Sequence, residues 1–207
     1  MKRNFQLTAL LVAIVAIVAS CSNPKPQTIE NLKAAISGET NASATYQAYS
    51  DKADEEGFHN IAKMFAAASA AEAIHVRNHN AVLVEMGEEA FNPTAGTPNV
   101  SSMADNLQAA IDGETYEYTI MYPGFIEIAE KEEKFDALSS FDLASSAEAT
   151  HAMLYSQALN ILRETGSDET VSSEWYVCPK CGDLFNGIEG LDNCPLCGVS
   201  SSSFLKF

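Results

Sequence analysis

The chain has 207 residues, 46% of them apolar, and a formal net charge of −16. That composition fits one medium-sized folded domain plus a small one rather than a disordered chain. The acidic balance argues against a nucleic-acid partner, whose phosphates it would repel, and against an electrostatic footprint on anionic membranes.

Lys2 and Arg3 precede an apolar run from about Phe5 to Ala19. The run is shorter than the roughly 20 residues that span a bilayer, so residues 1–20 read as a signal peptide. Val18-Ala19-Ser20-Cys21 resembles the lipobox of a bacterial lipoprotein signal. The resemblance implies cleavage before Cys21, lipid on Cys21, and a membrane-anchored place in the cell envelope, facing the periplasm or in the outer membrane. An ordinary cleaved signal and an uncleaved anchor are the alternatives. Residues 21–27, with Pro24 and Pro26, follow as a tether.

Residues 28–165 carry a helical pattern, with Thr28 as the expected N-cap. An internal repeat organises them. NLKAAISGET at 31–40 and NLQAAIDGET at 106–115 agree at eight of ten positions. At an offset one residue larger, Phe65, Glu72, Ala73, His75 and Leu83 recur as Phe141, Glu148, Ala149, His151 and Leu159. Two copies of this length suit two helical hairpins in a four-helix bundle better than a solenoid. The first hairpin turns at Gly57, which leaves Glu39 and Glu72 about 27 and 23 Å from the turn, at one height. The second turn is expected near Lys131. Between the hairpins, residues 87–103 either cross the bundle or stay at one end.

The apolar seams carry the chemistry. They run through Leu32, Ala35, Glu39, Ala42, Tyr46 and Tyr49 in the first helix, and through Ile61, Phe65, Ala68, Glu72, His75, His79 and Val82 in the second. The third has Leu107, Ala110, Glu114, Glu117 and Met121 with Tyr122 beside it; the fourth has Phe141, Ala144, Glu148, His151, Tyr155 and Ala158. Glu72-x-x-His75 and Glu148-x-x-His151 each put a carboxylate and an imidazole on one helix face. Unpaired carboxylates in a core cost several kcal/mol each, and no Lys or Arg stands at the matching heights. Two divalent ions, about +4 against five carboxylates, resolve the imbalance. A Glu from each of two helices with a Glu-x-x-His from each of the other two resembles the ligand pattern of ferritin-like dimetal proteins, and the oxygen-rich set favours iron or manganese. Glu117 falls opposite Ala42 in the repeat, so the two metal positions are not equivalent. Tyr46 and Tyr122 lie two turns from Glu39 and Glu114, either bonded to a ligand carboxylate or packed as ordinary core tyrosines. His79 has Tyr155 as its counterpart and is expected to pack beside the cluster. Glu55, Glu56, Glu132, Glu133 and His59 are expected to face water.

After a polar linker at 166–173, residues 174–207 contain Cys178-x-x-Cys181-Gly and Cys194-x-x-Cys197-Gly. This is a strong signal for a tetrathiolate metal site, with iron or zinc left open by the spacing. With Cys21 they account for all five cysteines, leaving none for disulfides. Trp175, Tyr176, Phe185, Phe204 and Phe207 are the expected shield around that metal.

Taken together, residues 28–207 look like a rubrerythrin. The resemblance rests on Gly38-Glu39, the two Glu-x-x-His pairs, Gly113-Glu114-x-x-Glu117, Met121-Tyr122-Pro123 and the two knuckles. It implies a mainly α fold, a four-helix ferritin-like bundle followed by a rubredoxin-like domain of short strands and knuckles. It implies two iron ions held by Glu39, Glu72, His75, Glu114, Glu117, Glu148 and His151, one of them exchanging Glu117 for His75 between redox states. It implies one iron, or zinc, at Cys178, Cys181, Cys194 and Cys197. The implied activity is a non-haem peroxidase that reduces hydrogen peroxide to water in oxidative stress defence, with Glu117, His75, Tyr46 and Tyr122 as catalytic candidates. Family members commonly form homodimers that bring a rubredoxin iron near the partner's diiron site, through a flexible linker. An envelope location leaves the electron donor unidentified. A ferroxidase or iron-binding protein and a zinc-stabilised envelope binding module are the other classes.

Overall fold

The computed structural model describes residues 25–207; the signal-like run and Cys21 lie outside the described residues. Helix α1 spans Gln27–Glu56 and α2 spans His59–Glu85. α3, Met103–Tyr116, passes through a π-helical turn at Glu117–Met121 into α4, Tyr122–Lys131, and α5 spans Phe135–Thr165. Among the described residues no helix is long and apolar enough to cross a membrane.

Both hairpins close with the same left-handed turn. Gly57 has φ +85°, its N–H reaches Asp54 O, and the next N–H, of Phe58, reaches Ala53 O at 2.8 Å. In the second hairpin Glu133 takes that place at φ +57°, bonded to Glu130 O, and Lys134 N–H reaches Ala129 O at 2.8 Å. The structural counterpart of Gly57 is therefore Glu133, two residues beyond Lys131.

Two helix starts are capped from a distance. Neither Pro26 nor Phe58 supplies a side-chain cap. Helix α1 already begins at Gln27, so Thr28 lies inside it, and Glu132 accepts from Gln27 N–H, Thr28 N–H and the Thr28 hydroxyl at 2.7–2.9 Å. Instead of facing water, Glu132 places its charge at a helix N-terminus. Asp168 does the same for α2, accepting from Asn60 N–H at 2.7 Å and Ile61 N–H at 3.1 Å. Asn60 Nδ2 donates back to Asp168 O and Val171 O, and Lys63 to Ser173 O. The segment after α5 is thus stitched to the bundle instead of hanging as a flexible linker.

The connection between the hairpins crosses the bundle. Phe91 exchanges hydrogen bonds with Asn80, Gly96 N–H donates to Asn41, and the Tyr49 hydroxyl donates to Asn99 O. Consequently α3 starts at the end where α1 meets α2, the one-crossover arrangement of ferritin-like bundles. The apolar core lies in two clusters, one around Tyr46, Phe65, Leu107 and Tyr155, the other around Leu32, Ile36, Tyr122 and Phe141. A polar layer separates them.

The C-terminal module is a three-stranded antiparallel sheet in the order β2-β1-β3, with β1 at Tyr176–Val177, β2 at Leu184–Phe185 and β3 at Leu205–Lys206. Of the aromatic residues expected to shield its metal, Phe185 and Phe204 stack at 5.0 Å and pack against the cysteines. Trp175, with Val177 and Leu184, instead joins the bundle's first cluster, and Phe207 packs on its edge. The module and the bundle share one core.

Candidate metal centres

The polar layer holds two overlapping ligand quartets. Glu39, Glu72, His75 and Glu148 bring ligand atoms within 4.8 Å of one another, as do Glu72, Glu114, Glu148 and His151. Glu72 and Glu148 belong to both, so they would be shared between two ions, while Glu39 and Glu114 would each serve one side. All six are at most 2% exposed.

His75 Nδ1 lies 2.8 Å from Glu148 Oε1 and 3.0 Å from Glu72 Oε2; His151 Nδ1 lies 2.8 Å from Glu148 Oε2 and 3.4 Å from Glu72 Oε1. The other ring nitrogens face outward. His75 Nε2 donates to Cys181 O at 2.9 Å and His151 Nε2 to Gly182 O at 3.1 Å. A carbonyl only accepts, so both rings carry hydrogen on Nε2 and point Nδ1, the atom left for a metal, into the cage.

The electrostatics call for cations. Burial, then neighbouring carboxylates, push Glu39, Glu114 and Glu117 well above the ordinary carboxylate value. Burial works against Glu72 too, yet hydrogen bonds from His151 and His75 hold it down to about 2. Burial disfavours charge on His75 and His151, but Glu148 and Glu72 overcome it and raise both well above the ordinary imidazole value. Buried oxygens of Glu39 and Glu117 find no hydrogen-bond partner, and those of Glu72 and Glu148 that face the cage meet only the two imidazole nitrogens. Such donors of oxygen and nitrogen type, converging from four helices, fit two metal ions.

Glu117 stands outside both quartets, and His75 occupies the cage instead. The π-helical turn that begins at Glu117 displaces the helix, with Glu117 Oε1 3.8 Å from where a Cβ on Gly38 would lie. π-helical turns of this kind are frequent at functional sites. The two tyrosines bond across the repeat rather than within it. Tyr46 donates to Glu114 at 2.5 Å, and Tyr122 donates to Glu39. His79 packs beside the cage, as expected from its counterpart.

Cys178, Cys181, Cys194 and Cys197 converge as a third ligand group, with sulfurs 3.4 Å (Cys178 to Cys197) and 3.6 Å (Cys181 to Cys194) apart. Hydrogen bonding from Cys181, aided by backbone N–H groups, brings the Cys178 thiol down to about 5, which favours the thiolate that a metal needs. The first knuckle lies directly on the bundle. Four consecutive carbonyls are each gripped: Pro179 O by Arg77 at 2.7 Å, Lys180 O by Asn78 at 2.7 Å, Cys181 O by His75 and Gly182 O by His151. Gly182 has φ +81°, and a Cβ there would stand 2.3 Å from His75 Nε2. Arg77 and Asn78 were invisible as docking residues in the sequence, because their partners are backbone atoms a hundred residues away.

The family model described as rubrerythrin matches residues 30–159. Nigerythrin of Nitratidesulfovibrio vulgaris is 37% identical over 191 residues, 92% of each chain. Rubrerythrin-2 of Clostridium acetobutylicum is 33% identical over 181 residues, 87% of this chain and 96% of that one. A solved structure of nigerythrin in its fully reduced, all-ferrous state is 35% identical, with a TM-score of 0.79 over 98% of this chain and all of that one. The shared carboxylate pair, the outward-facing imidazoles and the docked four-cysteine module thus sit in a chain that belongs to the rubrerythrin family.

Proposed function

We propose that this protein is a non-haem diiron peroxidase of oxidative stress defence, reducing hydrogen peroxide to two waters with two electrons and two protons. One observation carries the reading: His75 and His151 each join the dimetal cage at Nδ1 to a carbonyl of the four-cysteine knuckle at Nε2. Bound iron would supply the redox chemistry, two electrons at the carboxylate cage and a one-electron relay at the four thiolates. The chain's own residues do the rest. Glu72 and Glu148 would be shared by the two ions, Glu39 and Glu114 are held by Tyr122 and Tyr46, and Glu117 keeps a buried, unpartnered Oε2 beside the cage. Glu117, buried beside the cage with one oxygen free, is placed to hold or pass a proton at the reacting oxygens. Tyr46, Phe65 and Tyr155 form an aromatic wall that excludes bulk water.

The knuckle reaches the cage of its own chain, so transfer does not require a partner's module; a homodimer remains part of the proposal. We also place the mature protein at the envelope through lipid on Cys21, with its electron donor there; the mass of the N-terminal peptide tests this. The activity is tested with the fully ferrous protein under anaerobic conditions. Its three ferrous ions hold three electrons and each peroxide takes two, so about one and a half equivalents should oxidise it fully, with the thiolate-iron absorption appearing as the cage turns over. Protein that binds zinc at the cysteines and consumes no peroxide would overturn the reading, and oxygen-driven iron uptake into a mineral would favour a ferroxidase.

A further inference from the structure

His79 is fully buried yet belongs to neither quartet. Its Nδ1 lies 2.8 Å from Ser140 Oγ and its Nε2 lies 3.1 Å from the Tyr122 hydroxyl. Tyr122 gives its hydrogen to Glu39, so toward His79 its oxygen only accepts. The ring therefore carries hydrogen on Nε2, and Nδ1 must accept from the Ser140 hydroxyl. Burial, then the neighbouring His75, lowers His79 to about 3, so the ring is neutral, with one donor and one acceptor. Every bond in the chain Ser140 to His79 to Tyr122 to Glu39 then has one direction.

The other half of the repeat lacks this chain. Tyr155 stands where His79 would be; its ring lies edge-on to Tyr46, centroids 5.6 Å apart, and among the described residues its hydroxyl is backed by no further hydrogen-bonding side chain comparable to Ser140. Met64, buried and apolar, stands opposite Ser140. Tyr46 thus holds Glu114 without an anchored support behind it, whereas Tyr122 is fixed from a half-buried serine.

We propose that His79 and Ser140 are positioning residues that fix the Glu39 carboxylate and so set the affinity of one metal position while leaving the other alone. The inference rests on the cage holding two ions, which is part of the proposed function, and not on peroxide chemistry. Polar partners behind metal ligands commonly set affinity by about 10–100-fold.

The test uses the full chain with zinc at the four cysteines, titrated with cobalt(II). In Ser140→Ala one of the two cage-binding steps should weaken about tenfold while the other holds, and Ser140→Thr should restore it. Nitrogen NMR of the metal-free chain should find His79 protonated on Nε2 in the wild type and a mixture of tautomers in Ser140→Ala. His79→Phe, packed between Tyr122 and Phe141, should show the same selective loss. Equal weakening of both steps, no weakening in Ser140→Ala, or a wild-type ring protonated on Nδ1 would each overturn the proposal. Failure to bind two cobalt ions at all would instead remove the dimetal reading beneath it. No peroxide enters, so a negative peroxidase assay leaves this result separate.

Discussion

Replacing Gly182 by alanine should loosen the module from the bundle, and Gly198→Ala supplies the control. Both glycines take a left-handed conformation, φ +81° and +73°, so both variants pay about 1–2 kcal/mol of backbone strain. Only at 182 would the new Cβ strike anything, His75 Nε2 at 2.3 Å and Ala71 O at 3.1 Å; at 198 nothing lies within 4 Å. Relief to the 3.4 Å of ordinary contact needs a retreat of about 1 Å, enough to break the 2.9 Å bond to Cys181 O and the 3.1 Å bond to Gly182 O. Two such bonds at about 1–1.5 kcal/mol each put the extra loss near 2–3 kcal/mol. Urea unfolding of the zinc-loaded variants measures that difference. Stopped-flow oxidation of the iron-loaded variants should show transfer from the thiolate iron slowed on the order of tenfold to a hundredfold in Gly182→Ala alone. If the two variants match in stability and in rate, the carbonyl clasp is not what joins the two centres.

Asp168→Ala should cost about 1–2 kcal/mol by uncapping α2, with Asp168→Asn retaining most of it; thermal unfolding of the metal-loaded chain checks both. Glu133→Gly should stabilise by up to about 1 kcal/mol, since glycine relieves a left-handed residue at a small entropic cost, and a lower melting temperature would contradict the turn geometry. The metal-free chain should lose stability as pH rises. Glu39, Glu114 and Glu117 hold protons above the ordinary 4.5, and His75 and His151 above the ordinary 6.5. The folded state therefore binds the extra protons until those raised values are passed. Glu72 acts the other way, its contribution being lost as pH falls from 4.5 through about 2. With metal bound, mild acid should destabilise instead, because protons compete with the ions. A metal-free melting temperature that climbs between about pH 5 and about pH 8 would refute this.

The four helices and the meeting of their carboxylates were legible because seam spacing and repeat register are local properties. Which carboxylates are shared was not, since Glu72 and Glu39 look alike in a seam. The π-helical turn did leave a trace. The repeat offset grows from 75 to 76 between Glu114 and Phe141, and one added residue is what such a turn accommodates. It brings Tyr122, not Met121, into the core. Glu132 and Asp168 carried no comparable signal, because each caps a helix more than a hundred residues away. The docking of the first knuckle was hidden for the same reason, as its contacts use backbone carbonyls that any residue would present.

The two imidazoles that bind through one nitrogen and grip the knuckle through the other make the centres thermodynamically linked. An ion that draws on Nδ1 leaves Nε2–H a stronger donor, so filling the cage tightens the hold on Cys181 and Gly182. Reciprocity requires the converse by the same factor: a seated module raises the cage's affinity for metal. Loading and domain closure are then one cooperative event, and a chain that has lost its cage ions also relaxes its grip on the four-cysteine module.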